Sequence, residues 1–123
     1  MFLAFLPANK NDQRQDYEKQ KQSFIKMDKK YFALYLLPLR PDFAQTMNDN
    51  ERALMQKHVG YWTNMMNQGK VVAFGPVMDP KEIYGLGIVS VDDEQEVKDL
   101  IANDPASAIN RYEYFAMRAI VKQ

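Results

Sequence analysis

Apolar and polar positions divide residues 31–123 into strands and helices in the order β-α-β-β-α-β. Apolar runs rich in aromatic and β-branched residues predict strands, and longer stretches with a 3.6-residue apolar period predict helices. The predicted strands cover residues 31–37, 70–74, 83–91 and 112–121, and the predicted helices cover residues 48–68 and 93–102. This order is typical of the ferredoxin-like α+β arrangement, in which both helices pack on one face of a four-stranded antiparallel sheet.

Local signals predict where these helices begin and end. Asn48, followed three residues later by Glu51, fits a capping box, and Gly69 fits the end of the first helix. Asp92 is placed to cap the second helix. A further short helical turn is expected in the stretch "DPASAI", because Asp before Pro suits the start of a helix.

The first and last predicted strands are apolar on both faces. In the first strand the two sets are Phe32, Leu34 and Leu36, and Tyr31, Ala33, Tyr35 and Leu37. In the last strand they are Phe115, Met117, Ala119 and Val121, and Tyr112, Tyr114, Ala116 and Ile120. An antiparallel sheet with one solvated face should alternate apolar with polar residues, and two helices cover only one face. We therefore expect a second copy of the sheet to cover the other face, as a homodimer with a barrel-like interior. The alternative is that residues 1–30 fold over it.

Residues 1–30 differ in composition from the rest of the chain. They carry seven Lys and Arg against four Asp and Glu, a net charge of +3, whereas the remainder carries nine against twelve, a net charge of −3. We interpret residues 1–30 as an appended N-terminal segment, partly helical or disordered, that precedes a domain over residues 31–123. Met27 is an alternative native start, which would make residues 1–26 an upstream extension.

Composition and charge exclude several classes of function. Sixteen Lys and Arg balance sixteen Asp and Glu, which argues against nucleic acid as a partner, because phosphate binding needs a clustered basic surface. With no cysteine and one histidine, the chain cannot form disulfides, thiolate metal sites or a multi-histidine metal site of its own. It has no Gly-rich phosphate loop and no serine nucleophile elbow. We therefore expect no cofactor and no metal, and any catalysis to be proton transfer on a small organic molecule.

The chain shows no sign of membrane insertion or secretion. No apolar run approaches the roughly 20 residues that span a bilayer. The start, "MFLAFLPANK", lacks a basic region, and its apolar part is shorter than the about 7–15 residues of a signal peptide. We therefore expect no membrane association and a cytoplasmic location.

The only histidine, His58, falls inside the apolar stripe of the first predicted helix. That stripe consists of Leu54, Met55, Val59, Trp62, Met65 and Met66. One interpretation is a core histidine whose ring nitrogens are satisfied by neighbouring groups. The other is a general acid or base, because the pKa of histidine suits proton transfer near neutral pH. A catalytic histidine would need a carboxylate to orient its ring, and Glu51 and Asp104 are the candidates, although each also fits a helix cap.

The stretch "KHVGYWTNMMNQGKVVAFGPVMDP", followed by "LIANDPA", resembles the YciI-like family, the YCII-related domain. The resemblance covers about residues 31–122 and rests on His58, on the pair Gly75-Pro76 after the second strand and on the pair Asp104-Pro105. It implies a dimeric α+β barrel with a ferredoxin-like core. It also implies that His58 and Asp104 form a catalytic pair. The reactions of the family are largely unassigned, and the broader fold includes dehydrochlorinase-type and muconolactone-isomerase-type enzymes.

Substrate-binding candidates surround this pair. Gly75 could adopt a backbone conformation closed to other residues, and with Pro76 it would shape the wall of a pocket. Trp62, with Tyr61, Met65 and Met66, would bind a flat apolar ligand or simply pack in the core. Gly85 and Gly87 leave room beside the sheet for a ligand or a packed side chain.

Two arginines near apolar strands have no evident role. Arg40 and Arg118 could each hold a substrate carboxylate, although a surface position is favoured for Arg40. Arg118 is predicted to share a strand face with Tyr114 and Ile120, so it could instead form a dimer contact. The hypothesis for the whole chain is a cofactor-independent lyase or isomerase that uses His58 and Asp104. The alternative is a non-catalytic dimer that binds a small ligand or serves a structural role.

Overall fold

A four-stranded antiparallel sheet is the centre of the molecule, as a computed structural model shows for the described residues, 13–17 and 28–122. The strands are β1 (Lys30–Pro38), β2 (Val71–Val77), β3 (Tyr84–Val91) and β4 (Asn110–Met117), in the spatial order β2-β3-β1-β4. The helices are α1 (Phe43–Thr46), α2 (Asp49–Asn67) and α3 (Glu94–Ala102), followed by a 3-10 helix (Pro105–Ala108). Every strand pair is antiparallel. This confirms the predicted ferredoxin-like α+β fold.

The predicted appended segment falls mostly outside the described residues. Within this segment, residues 13–17 are helical. Residues 30–120 form a compact unit of their own. Met27, the alternative start, also lies outside the described residues. The division of the chain at residue 30 stays a prediction.

The ends of α2 follow the predicted signals. The side chain of Asn48 accepts a hydrogen bond from the Glu51 backbone N–H over 2.8 Å, and the Glu51 carboxylate accepts one from the Asn48 N–H over 3.0 Å. This is the predicted capping box. Gly69, just after the helix, has a φ of +83°, a conformation that glycine adopts without steric cost.

Three boundaries and one additional helix differ from the prediction. Asp93, not Asp92, caps α3, because its side chain accepts from the backbone N–H of the third helical residue over 2.9 Å. The short helix α1 was not predicted. Strand β2 continues through Gly75-Pro76 to Val77, which is possible because β2 is an edge strand and the missing N–H of proline can face away from its neighbour. Strand β4 is Asn110–Met117 rather than 112–121, because its partner β1 pairs only from residue 31 to residue 38.

One face of the sheet carries the core. Trp62 of α2 and two residues of α3 share a buried cluster with residues of the three strands β1, β2 and β3. The buried members are Phe32, Leu34, Trp62, Val71, Val89, Val91, Val97 and Leu100. Tyr112 and Tyr114 of β4 pack against this cluster, so the predicted alternation of the last strand is correct on this side.

The opposite face of the sheet, called the open face below, is largely apolar. It carries Tyr31, Ala33 and Tyr35 of β1, Leu86 and Ile88 of β3, and Phe115 and Met117 of β4, as the strand registers place them. Phe115 is 58% exposed and Met117 is 41% exposed. The ring of Tyr35 lies 6.1 Å from that of Tyr84 and 6.0 Å from that of Phe115. Neither long helix packs on these residues.

Candidate functional site

His58 and Asp104 form a hydrogen-bonded pair that joins α2 to the 3-10 helix. His58 lies in the middle of α2, and Asp104 is the N-cap residue of the 3-10 helix. The Nδ1 atom of His58 lies 2.8 Å from Oδ2 of Asp104 and 3.0 Å from Oδ1. Because Asp104 is only 3% exposed, its carboxylate is shielded from water. The structure thus brings together the two residues predicted to be catalytic.

Four donors converge on the buried carboxylate of Asp104. Besides His58, Trp62 donates its indole N–H over 2.8 Å, and the backbone N–H of Ala106 donates over 2.9 Å. The hydroxyl of Tyr112 donates to the same oxygen as the indole. Burial alone would raise the pKa of Asp104, but the four hydrogen bonds outweigh burial and hold that pKa below its usual range. Asp104 is therefore a buried anion at neutral pH.

Tyr112 is the part of this network that the sequence did not reveal. Its hydroxyl also accepts a hydrogen bond from the indole of Trp62 over 3.2 Å. Burial, and then the negative charge of Asp104, raise the pKa of the phenol well above its usual value, so Tyr112 remains a proton donor. A buried tyrosine needs a partner for its hydroxyl, which is a signal for a polar site near the last strand. The signal does not say which group the hydroxyl meets.

The contact with Asp104 determines which nitrogen of His58 carries the proton. An ionised carboxylate only accepts hydrogen bonds, so Nδ1 of His58 is the donor, and Nε2 of the neutral ring then keeps its lone pair. Nε2 has no hydrogen-bond partner among the described residues. Since no buried side-chain nitrogen or oxygen in that part of the chain lacks a partner, Nε2 is accessible rather than sealed in the core.

A cavity of about 260 Å³ is lined by His58 on the core side of the sheet. Trp62, Gly75 and Pro76, the three residues predicted to bind substrate, line the same cavity. Asp104 lies behind His58 and is not part of the wall. The arrangement is a basic nitrogen at the surface of a mostly apolar cavity, with its orienting carboxylate buried behind it.

Sequence comparison decides the family. A family model, the YCII-related domain, matches residues 32–120, which is most of the chain. The chain belongs to the YCII-related domain family. The match includes α2, with His58, and the 3-10 helix that Asp104 caps. No curated protein matches the sequence significantly.

The glycines of this YCII-related domain differ in how much space a side chain would find at each position. A Cβ atom at Gly85 would lie 3.1 Å from Cβ of Leu36, so a side chain there would require Leu36 to move by a few tenths of an ångström. A Cβ atom at Gly87 would make an ordinary contact of 3.7 Å with Phe74. Gly75 would meet nothing within 4 Å, and among the described residues only Gly69 has a positive φ. The expectation that Gly75 adopts a conformation closed to other residues is therefore wrong, and it contributes only backbone to the wall.

Glu51 is not the partner of His58 in the YCII-related fold. Both of its carboxylate oxygens bind Arg40, over 2.8 and 2.9 Å. The hydrogen bonds from Arg40, and the one from the Asn48 backbone, lower the pKa of Glu51 to about 2. Arg40 in turn also binds the hydroxyl and the carbonyl of Thr46. Arg40 is therefore committed to the protein and is not free to hold a substrate carboxylate.

Other sequence candidates lie away from the cavity. Arg118 is exposed and follows the end of β4, so the prediction that it shares a strand face with Tyr114 is wrong. Tyr61 and the methionines Met65 and Met66 pack against the core cluster, and the Tyr61 hydroxyl donates to the Leu100 carbonyl over 2.7 Å. These residues support the packing interpretation of the apolar stripe.

The described residues contain neither a helix that could cross a membrane nor a cluster of metal-binding side chains. None of the helices in residues 13–17 and 28–122 has the length and the apolar character that a bilayer crossing requires. In the same residues, no three side chains of the metal-binding types come together.

Proposed function

We propose that this YCII-related protein is a cofactor-independent lyase or isomerase in which His58 transfers a proton and Asp104 orients it. One observation carries the proposal: Nδ1 of His58 is bound to a buried carboxylate, while Nε2 is accessible in a cavity. A base near neutral pH needs this combination of a fixed ring and a free nitrogen. Trp62, Gly75 and Pro76 form the wall that holds the substrate beside it.

The proposed step balances without a co-reactant. Nε2 of His58 takes a proton from a carbon of the substrate, and the electrons of the C–H bond move into a new double bond. In an isomerisation the imidazolium returns the proton to another atom of the substrate. In an elimination a leaving group departs with its electron pair, and the imidazolium gives its proton to that group or to water. In both cases Asp104 stabilises the imidazolium while it exists.

Solvent deuterium incorporation tests this proposal without knowledge of the product. The protein is incubated in D2O with a panel of cyclic ketones, unsaturated lactones and halogenated phenols, and loss of C–H signals is followed by NMR. We expect exchange on at least one compound, and a loss of at least about 100-fold in His58→Gln, which is the usual contribution of a general base. Lys57→Gln, an exposed change on the same helix, is the matched control and should exchange at the wild-type rate.

The outcomes separate the proposal from its alternative. Exchange at the wild-type rate in His58→Gln contradicts the proposal. The same holds if nitrogen NMR of the single imidazole shows a neutral ring protonated on Nε2 instead of Nδ1. A panel that binds in the cavity without any exchange supports the alternative, a non-catalytic domain that binds a small ligand.

We propose in addition that the protein is a homodimer through the open face. Its exposed residues Phe115 and Met117 lie on β4, beside half-buried apolar residues of β1 and β3, and a two-fold axis would bring like apolar surfaces together. Phe115→Glu should convert the dimer to a monomer in sedimentation velocity, whereas Ile120→Glu, at a fully exposed position, should leave it intact. If removal of residues 1–29 creates a dimer from a monomer, those residues cover the open face and the proposal is wrong.

A further inference from the structure

The part of the cavity wall that the described residues form carries no fixed charge. Among the described residues that line it, His58 is the only one with an ionisable side chain near neutral pH, and none is Asp, Glu, Lys or Arg. Arg40, two residues after the wall residue Pro38, has its guanidinium bound to Glu51 and Thr46. Arg111, between the wall residues Asn110 and Tyr112, is exposed and pairs with Glu113. A ligand in this cavity therefore meets no counter-ion apart from an imidazolium.

A carboxylate ligand would conflict with the function of His58. An unpaired ion in an apolar site costs several kcal/mol, so a carboxylate in the cavity would favour the protonated form of His58. The imidazolium has no lone pair with which to accept a proton. A substrate with its charge in the cavity would thus disable the base that acts on it, whereas an uncharged substrate leaves the base free.

The size and shape of the cavity suit one substituted ring. A cavity of about 150 Å³ holds a benzene molecule, and this cavity measures about 260 Å³. The flat side chains of Trp62, Phe74 and Tyr112 form part of its wall, and aromatic faces pack well on a planar ligand. The remaining volume leaves room for one or two small substituents.

Asn110 offers a second polar group in the cavity. Its Nδ2 makes a contact of 3.6 Å with the sulfur of Met55, a weak acceptor, and Met55 precedes His58 by almost one turn of α2. Oδ1 of Asn110 has no hydrogen-bond partner among the described residues, and no buried polar side-chain atom there lacks one. The amide of Asn110 is therefore accessible to a hydroxyl or carbonyl group of a ligand.

We infer that the cavity binds an uncharged, single-ring molecule whose polar substituent meets the amide of Asn110 and Nε2 of His58, and that it discriminates against the carboxylate of the same ring. The inference rests on the proposed function, because it identifies the substrate class of that site. Val59 lies at the edge of the cavity and is 52% exposed. It is therefore the position at which a single added charge can change this selectivity.

Two probes of matched shape test the inference. At pH 7, 4-methylphenol is uncharged and 4-methylbenzoate is an anion, as the ordinary pKa values of phenols and carboxyls require. Binding is followed by the fluorescence of Trp62, the only tryptophan in the chain, and by the NMR signals of His58, the only histidine. We expect 4-methylphenol to bind at least about tenfold more tightly than 4-methylbenzoate, a difference of about 1.4 kcal/mol.

Variants of the wall sharpen this measurement. Val59→Arg should tighten the binding of 4-methylbenzoate at least about tenfold through a new ion pair. Thr63→Arg adds an equal charge on an exposed residue outside the cavity wall and should leave this binding unchanged. Asn110→Ala should weaken 4-methylphenol several-fold and leave toluene unchanged. Equal or tighter binding of 4-methylbenzoate by the wild-type protein overturns the inference, as does the absence of any response of Trp62 and His58 to either probe.

These results are independent of turnover. If 4-methylphenol binds with the expected selectivity but no compound exchanges deuterium, the proposed lyase or isomerase fails and the inferred ligand class stands. If exchange depends on His58 but is faster on carboxylates than on uncharged rings, the proposed function stands and the ligand class is wrong.

Discussion

Two acid–base pairs on α2 show how position decides chemistry. Arg40 and Glu51 meet at the N-terminus of the helix, where the arginine side chain is 37% exposed and every oxygen of the carboxylate is engaged. His58 and Asp104 meet about two turns later, where the Asp104 side chain is fully buried. Within residues 13–17 and 28–122, only the second pair leaves an atom without a partner, Nε2 of His58. Arg40 also binds Thr46 of α1, so the first pair connects α1 to α2, whereas the second can act on a ligand.

The pairs also differ in what surrounds the carboxylate. Glu51 is held by one arginine and one backbone N–H, which are groups that water can partly replace. Asp104 is held by an imidazole, an indole, a phenol and a backbone N–H, none of which finds water when the carboxylate is removed. A buried donor without an acceptor is costly, so the two carboxylates should contribute very differently to stability.

Asp104→Ala should be the most damaging change to either pair. It leaves the indole of Trp62 and the hydroxyl of Tyr112 without their buried acceptor, and we expect a loss of about 3 kcal/mol in the free energy of unfolding. Glu51→Ala should cost clearly less, because Arg40 remains partly hydrated. Urea unfolding of both variants measures the difference. Equal losses of unfolding free energy in the two variants would mean that the burial of Asp104 does not make its removal more costly than that of Glu51.

Tyr112→Phe isolates one donor of the Asp104 network. We expect a loss of about 1 kcal/mol in the free energy of unfolding and a rise in the pKa of Asp104, because one of the bonds that favours the anion is gone. Tyr112 acts through Asp104 and is a positioning residue. The pH dependence of deuterium exchange should therefore shift in this variant.

Tyr114→Phe is the matched control, since Tyr114 lies on the same strand and the same face but donates to Glu94 at the surface. It should change neither stability nor the pH profile by a comparable amount. If the two variants behave alike, the hydroxyl of Tyr112 does not support the carboxylate.

The sequence predicted the framework of the site better than its contacts. Local periodicity and short-range hydrogen bonds determine the order of strands and helices along the chain and the apolar stripe around His58. They also determine the capping box of Asn48 and Glu51. The prediction that β2 ends before Gly75 failed because a strand boundary depends on the pairing partner, which lies outside the local pattern. Family resemblance, not periodicity, brought His58 and Asp104 together as a pair.

Contacts between distant side chains were beyond the reach of the sequence. That Tyr112 reaches Asp104 depends on the register of β4 on β1 and on the position of the 3-10 helix. That Arg40 binds Glu51 depends on α1, a helix of four residues that is too short to show a period. Geometry of this kind is set by packing rather than by local sequence.

The smallest expected effect concerns how the free energy of unfolding depends on pH and on salt concentration. Both carboxylates have a lowered pKa, so each stabilises the fold above its ordinary pKa, and the stabilisation is lost as the pH falls through the folded value. For Glu51 that window runs from 4.5 down to about 2, and for Asp104 it begins at 3.8 and extends downward. Acid therefore weakens both pairs and does not distinguish them.

Salt does distinguish them, because ions screen partly exposed charges much more than buried ones. At pH 7, the stability difference between wild type and Glu51→Gln should shrink when NaCl is raised from about 0.05 M to 1 M, where the screening length falls to about 3 Å. The difference between wild type and Asp104→Asn should change little. Urea unfolding at the two salt concentrations measures both differences. Equal salt sensitivity would place water at Asp104, and a solvated carboxylate there would no longer hold His58 in the single tautomer that the proposed base requires.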